Sequence, residues 1–311
     1  MTPSRQADHA VAHPVPGHRA INVLLARPLV VLLLACLVAS CTAMRLGYDH
    51  ADRLIVSSLD HYLDLTSSQE DLVRDRAREL LTWHRTTQLA DYQKLIATTS
   101  EKIQTKLTAA DVLAFNEAVN QRFVRIGEQA APDLAQLALT LSPAQIDRLE
   151  RKLSDETTRA QREIAEAGPE RSNVRRIRRF IERAEGWFGD LREDQLKLVR
   201  GSFAARPLGP HWPIEERIRR QADLIALLRR VQAQHPDVTT VTEWTRQYFA
   251  RLVQPTDPDE RAHVHQSRQD TAQLVASLVN SADSRQRAAI SRRLASYAED
   301  FRVLASERGA G

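Results

Sequence analysis

Cysteine is nearly missing from this chain. Its two copies, Cys36 and Cys41, both fall in one apolar N-terminal stretch, so residues 42–311 offer no thiol. That excludes disulfides, a cysteine-ligated metal and a cysteine nucleophile from everything after residue 41. Glycine is scarce, with 10 in 311 residues, and no phosphate-binding glycine loop, dinucleotide fingerprint, HExxH or GxSxG motif occurs. Strand-like alternation of apolar and polar residues is missing as well. The longest apolar run, Leu29 to Cys41, falls short of the roughly 20 residues that span a bilayer as a helix.

What that run does contain is informative. Arg27 precedes it, and it ends in Val38-Ala39-Ser40-Cys41, small residues that a signal peptidase can hold in extended form. The four residues resemble the lipobox of bacterial lipoproteins. The resemblance implies cleavage between Ser40 and Cys41, a diacylglyceryl group on the Cys41 thiol, palmitate on the new amino terminus, and anchorage in a membrane. Residue 42 is Thr; in enterobacterial lipoproteins an Asp there retains the protein in the inner membrane, so the expected address is the outer membrane, facing the periplasm. An uncleaved inner-membrane anchor is the competing reading. Met1 to Ala26, with Pro3, Pro14 and Pro16, is longer than most leader starts and is kept out of the fold. Removing residues 1–40 leaves 271 of the 311 residues, room for one large or two small helical domains. The leader carries Arg5, Arg19 and Arg27 against Asp8, so the net charge of +4 drops by 2 in the mature chain.

The mature chain is rich in Ala, Leu, Arg, Glu and Gln, good helix formers, and an all-α bundle of antiparallel amphipathic helices is expected. Capping boxes mark the starts: Thr66-Ser-Ser-Gln69, Thr108-Ala-Ala-Asp111 and Ser142-Pro-Ala-Gln145 each place an acceptor side chain at the cap and a returning one three residues on. Stops fall at Gly168-Pro169, Gly186 to Asp190, Arg206 to Pro213, His235-Pro236 and Gln254 to Pro258. Helices are therefore predicted at about 50–65, 67–86, 88–106, 109–139, 143–167, 170–188, 192–205, 213–235, 240–253, 258–281 and 284–306. Val174, Ile177, Ile181, Ala184 and Phe188 form one apolar stripe, as do Ile290, Leu294, Tyr297, Phe301 and Leu304. With 1–40 as leader and 41–48 as tether, Arg206 to Pro213 divides a helical region at 49–205 from one at 214–308, unless the two form one continuous domain.

Leu65-Thr-Ser-Ser-Gln69, with looser echoes at Leu141 to Gln145 and Leu191 to Gln195, resembles the LTxxQ signature of the periplasmic chaperones Spy and CpxP. Those are shorter, curved helical dimers that cradle unfolded clients. The same residues read as helix caps without any chaperone role. A broader resemblance is to a family of proteobacterial outer-membrane lipoproteins whose defining domain has no assigned function. It is carried by Cys41, Leu46-Gly-Tyr48, Asp60 to Leu65, Gln69, Trp83-His84-Arg85, Leu89-Ala-Asp-Tyr92, Glu182 to Gln195 with Trp187 and Gly189, and Trp212 to Arg217. It spans most of the mature chain and implies no reaction and no catalytic residues.

Three clusters are candidates for function. In Trp83-His84-Arg85 an indole, an imidazole and a guanidinium stand together, as an anion or carboxylate site would require. On helical spacing His84 also shares a face with Ala77, Leu80 and Leu81, which makes it a core histidine with Trp83 capping the core and Arg85 facing solvent. Arg171, Arg175, Arg178 and Arg179, with Arg176 and Arg183, place guanidiniums opposite an apolar stripe; such a face suits phosphate or carboxylate, or is a solvated face balanced by Glu170, Glu182 and Glu185. No aromatic residues interleave with them to stack bases, so nucleic acid is not an expected partner. Asp259 and His263 lie one turn apart near Asp257, Glu260 and His265, but His265 points about 200° away from His263 and a third ligand is lacking, so no metal is expected. The sequence thus points to a non-enzymatic, membrane-anchored binding, chaperone-like or envelope-assembly protein without cofactor, catalytic residue or metal. Its partners would be the membrane, through acylated Cys41, and envelope proteins, peptidoglycan or anionic lipid. The alternative is an enzyme on cell-wall or lipid substrates, with its site near Trp83 and His84.

Overall fold

A computed structural model describes residues 47–205 and 212–306. Ser40 and Cys41, and with them the cleavage and acylation readings, lie outside the described residues. Among the described residues the protein is all-α, as expected, without a strand. Ten α-helices follow one another: α1 (Ala51–Leu63), α2 (Ser67–Trp83), α3 (Leu89–Lys102), α4 (Ala109–Thr140), α5 (Pro143–Phe188), α6 (Glu193–Ala204), α7 (Trp212–Gln234), α8 (Val238–Val253), α9 (Pro258–Ser281) and α10 (Ser284–Ser306). None is long and apolar enough to cross a membrane.

The capping residues act where the sequence placed them. Thr66, Thr108 and Ser142 each accept from the N–H three residues on, and Gln69, Asp111 and Gln145 each accept from the cap's own N–H. Pro143 opens α5 in the turn where its missing N–H is not needed. One expectation needs adjusting. The break predicted between residues 86 and 88 is instead a π-helical turn, His84–Gln88, through which α2 runs on into α3. Thr87 Oγ1 donates to the Trp83 carbonyl at 2.7 Å and Thr86 Oγ1 to that of Thr82 at 2.9 Å, giving carbonyls in the widened turn a second partner. The stop expected at Gly168-Pro169 is present within α5: Gly168 takes φ 71° and ψ 170°, a non-helical conformation open to glycine alone, and divides α5 into two helical halves across a kink.

The helices enclose two hydrophobic cores. The first gathers α1, α2, the second half of α4, the first half of α5, α7 and α8, with Ile146, Leu149, Val231 and Val241 at its centre. The second gathers Tyr48, α3, the second half of α5, α6, α9 and α10, around Leu89, Val199, Leu278 and Leu304. Each core draws helices from both sides of Arg206 to Pro213. Two long elements make this possible. α4 has 32 residues, about 48 Å at 1.5 Å per residue, and packs on α8 at one end and α9 at the other. α5 serves α7 before its kink and α10 after it.

Each core is closed by a pair of buried glutamines. Gln69 and Gln145 exchange amide hydrogen bonds: Gln145 Nε2 donates to Gln69 Oε1 at 2.7 Å, and Gln69 Nε2 to Gln145 Oε1 at 3.3 Å. Each also donates across to the loop before its partner's helix, Gln69 to the Thr140 carbonyl and Gln145 to that of Asp64, both at 3.1 Å. Gln195 and Gln286 repeat the arrangement with 2.9 Å bonds in both directions, Gln286 reaching the Asp190 carbonyl at 3.0 Å and Gln195 the Ser281 hydroxyl at 3.1 Å. A glutamine three residues after the cap thus accepts with its oxygen from its own helix start and from the partner amide, while its NH2 donates across to the neighbouring helix start. Asp283-Ser-Arg-Gln286, a fourth box that pattern reading passed over, supplies the last of the four.

Candidate functional site

Of the three clusters, Trp83-His84-Arg85 is the most constructed. The π turn begins at His84 and buries its side chain, 3% exposed, between α3 and the segment that precedes α1. Its Nδ1 lies 3.0 Å from the Tyr48 hydroxyl and its Nε2 3.0 Å from that of Tyr92. Tyr48 donates its proton to the Leu81 carbonyl at 3.1 Å, so it accepts from Nδ1–H; Nε2 then carries the lone pair and accepts from Tyr92. Burial holds the imidazole neutral, with its pKa pushed down to about 4, and raises the Tyr92 phenol to about 12. The histidine therefore presents both ring nitrogens to phenols.

The surrounding groups enclose this triad. The Arg85 guanidinium, expected in solvent, stands over the Tyr48 ring at 5.0 Å and pairs with Asp49 at 3.7 Å. The face reading missed this because Tyr48 lies before α1 and cannot be placed by helical periodicity. Trp83 is half-buried, 6.4 Å centroid to centroid from His84, and the Tyr92 ring meets Phe301 of α10 edge-on at 5.6 Å. Arg122 of α4 pairs with Asp91 at 2.7 Å beside Tyr92. The three predicted residues come together, but around two tyrosines that pattern reading did not assign to them. Both tyrosines sit in the strings that carry the family resemblance, the one signal that pointed at them. Chemically the arrangement is a tie: a neutral imidazole joins the start of the described chain to α3, and through Phe301 to the last helix.

The arginines lie elsewhere, on α5 after the kink. Arg171, Arg175 and Arg179 repeat every four residues on an exposed row, with Arg178 beside it and paired to Glu182 at 3.5 Å. Val174, 64% exposed, sits among them. Arg176 turns inward over the Phe203 ring at 5.6 Å, where burial lowers its pKa. In the acidic cluster, Asp257 caps α9 through the Glu260 N–H at 2.8 Å and Glu260 pairs with Arg219 at 3.3 Å. Among the described residues no group of three or more His, Asp or Glu side chains converges on a metal position.

These observations define a helical-bundle protein with two cores and a buried tyrosine–histidine–tyrosine tie. Comparison with known families goes one step further: the model of a family of unknown function (DUF6279) matches residues 61–248, more than half of the chain, and the protein belongs to that family. The match takes in His84, Tyr92 and the arginine row, and ends within α8. No curated protein and no solved structure matches the chain.

Proposed function

We propose that this protein is a lipoprotein tethered through acylated Cys41 to the outer membrane, facing the periplasm, and that it works by binding rather than by catalysis. The observation that carries the binding reading is the use made of His84: both ring nitrogens are spent on phenols and burial disfavours its charged form, so the imidazole is not available to take a proton from a substrate. The large exposed apolar side chains are Leu54, Leu139, Val174, Leu198, Ile218 and Val238, one on each of six helices. Six residues lie between Cys41 and Tyr48, seven steps of chain with a reach of at most about 25 Å, which would hold the Tyr48 end of the second core close to the bilayer. Arg171, Arg175, Arg178 and Arg179 then offer an anion-facing row to lipid headgroups or peptidoglycan carboxylates.

Labelling cells with an alkyne-bearing palmitate and comparing the protein with Cys41→Ala tests the anchor. Label in the membrane fraction that vanishes in the variant supports the reading; label that persists in Cys41→Ala removes it. Crosslinking in cells, with the same variant as control, reads the partners.

A further inference from the structure

The first core contains a cavity of about 210 Å³ between α1, α2, α4, α7 and α8, open on one side. Its walls are mostly aliphatic, with Leu59, Leu72, Leu134, Leu137 and Leu227 prominent and the Tyr248 and Phe249 rings on the α8 side, and Ala138 is on the α4 side. Apolar cavities of roughly 150 Å³ already stay dry and take up a small hydrocarbon. Charge enters at one place, where half-exposed Arg76 and Asp133 line the cavity. Arg76 Nη1 donates to Glu79 at 2.7 Å, and its Nε lies 3.4 Å from Asp133 Oδ1 without hydrogen-bond geometry. That Nε is buried and has no hydrogen-bond partner. Arg76 therefore lines a mostly apolar chamber with one donor unspent, and its positive charge is already balanced by two carboxylates.

We propose that this cavity binds a single hydrocarbon chain whose uncharged oxygen, an ester carbonyl or a hydroxyl, accepts from Arg76 Nε–H. The ligand class is the acyl ester, met either as a free monoacylglycerol or as one chain of a membrane phospholipid. A fatty-acid carboxylate fits less well, because it brings a third negative charge to Asp133 and Glu79. The volume, the aliphatic lining and the single buried donor select for a chain with one neutral polar end. The second core buries four rings, Tyr48, Phe188, Tyr297 and Phe301, where the first buries two, Tyr62 and Tyr248. The inference does not depend on the anchor, since the cavity binds or fails to bind whether or not Cys41 is acylated.

Isothermal titration of the purified full chain with monoacylglycerols of increasing length tests it directly. Affinity should rise about fourfold for each methylene added while the chain still fits, then level off. Ala138→Leu, which fills the cavity, should reduce affinity at least tenfold while thermal unfolding shows an intact fold. The ester should bind more tightly than the fatty acid of equal length, a preference that Arg76→Met abolishes. A parallel arm with phospholipid vesicles separates the two sources: extraction of a lipid that Ala138→Leu no longer extracts assigns the membrane chain. Binding independent of chain length, equal binding by the filled variant, tighter binding of the carboxylate, or no binding by any ester in the unsubstituted protein would each overturn the proposal.

Discussion

The two cores are closed alike and filled differently. Each is pinned where two helix starts meet by a reciprocal pair of glutamine amides that also cap those helices. Behind the pin, the second core buries the rings of Tyr48, Phe188, Tyr297 and Phe301, while the first buries two, Tyr62 and Tyr248, among leucines and alanines and retains a cavity. The clasp thus specifies how helices meet, and the side chains behind it decide whether the space between them is solid. Water access differs as well: a polar recess reaches Gln69 and Gln145, whereas Gln195 is fully enclosed.

That last difference gives the largest expected effect. Gln195→Ala removes both amide bonds to Gln286, which keeps its partners at Asp190 and Arg192, and the acceptor of the Arg192 N–H, around a side chain that is fully enclosed, and should cost about 3 kcal/mol in urea unfolding. Gln69→Ala opens onto the recess, where water can replace the lost bonds, and should cost about half as much; equal losses would erase the distinction between the clasps.

The histidine tie adds a pH signature to the second core. His84 has a folded pKa of about 4, below the ordinary value of 6.5, so on acidification the unfolded chain takes up a proton that the folded chain refuses. Stability is therefore full above pH 6.5 and falls as pH drops toward 4, by about 3 kcal/mol in total. Unfolding curves of His84→Gln across this range should lack that slope; an unchanged slope would move its origin to other groups.

Packing contrasts come next. Gly127 of α4 lies against Phe249 of α8, and a methyl there would come within 2.8 Å of Phe249 Cβ. Gly127→Ala should therefore push the two helices apart and cost about 2 kcal/mol, despite alanine's better helix propensity. Ala184→Leu in the ring-filled core should cost about 1 kcal/mol or more, whereas Ala138→Leu beside the cavity should leave the melting temperature level or raise it. The same sign for both alanines would mean that the cores are equally filled.

Much of the helical layout was legible because its signals are local. Capping boxes at Thr66, Thr108 and Ser142, proline at 143 and glycine at 189 act within one turn of the residue that carries them, and the elements begin and end there. The π turn was not legible: two threonine hydroxyls and a histidine drawn to distant phenols stabilise it, and a 3.6-residue period cannot register one extra residue. The site was legible in part. Trp83, His84 and Arg85 are neighbours in the chain, but what makes His84 neutral and enclosed is Tyr48, 36 residues earlier, and Tyr92 on the next helix. Arg85 shows the same limit, since its aromatic partner precedes the first helix.

By itself the sequence determined that the protein is helical, where its helices start, and that no thiol chemistry is available after Cys41, because propensity, capping and residue type are properties of short segments. Only the tertiary structure decided that four capping glutamines pair across 76 and 91 residues, that α4 and α5 each serve two cores, and that the first core holds a chamber. These depend on which surfaces meet, and that is set by the summed burial of apolar faces over the whole chain.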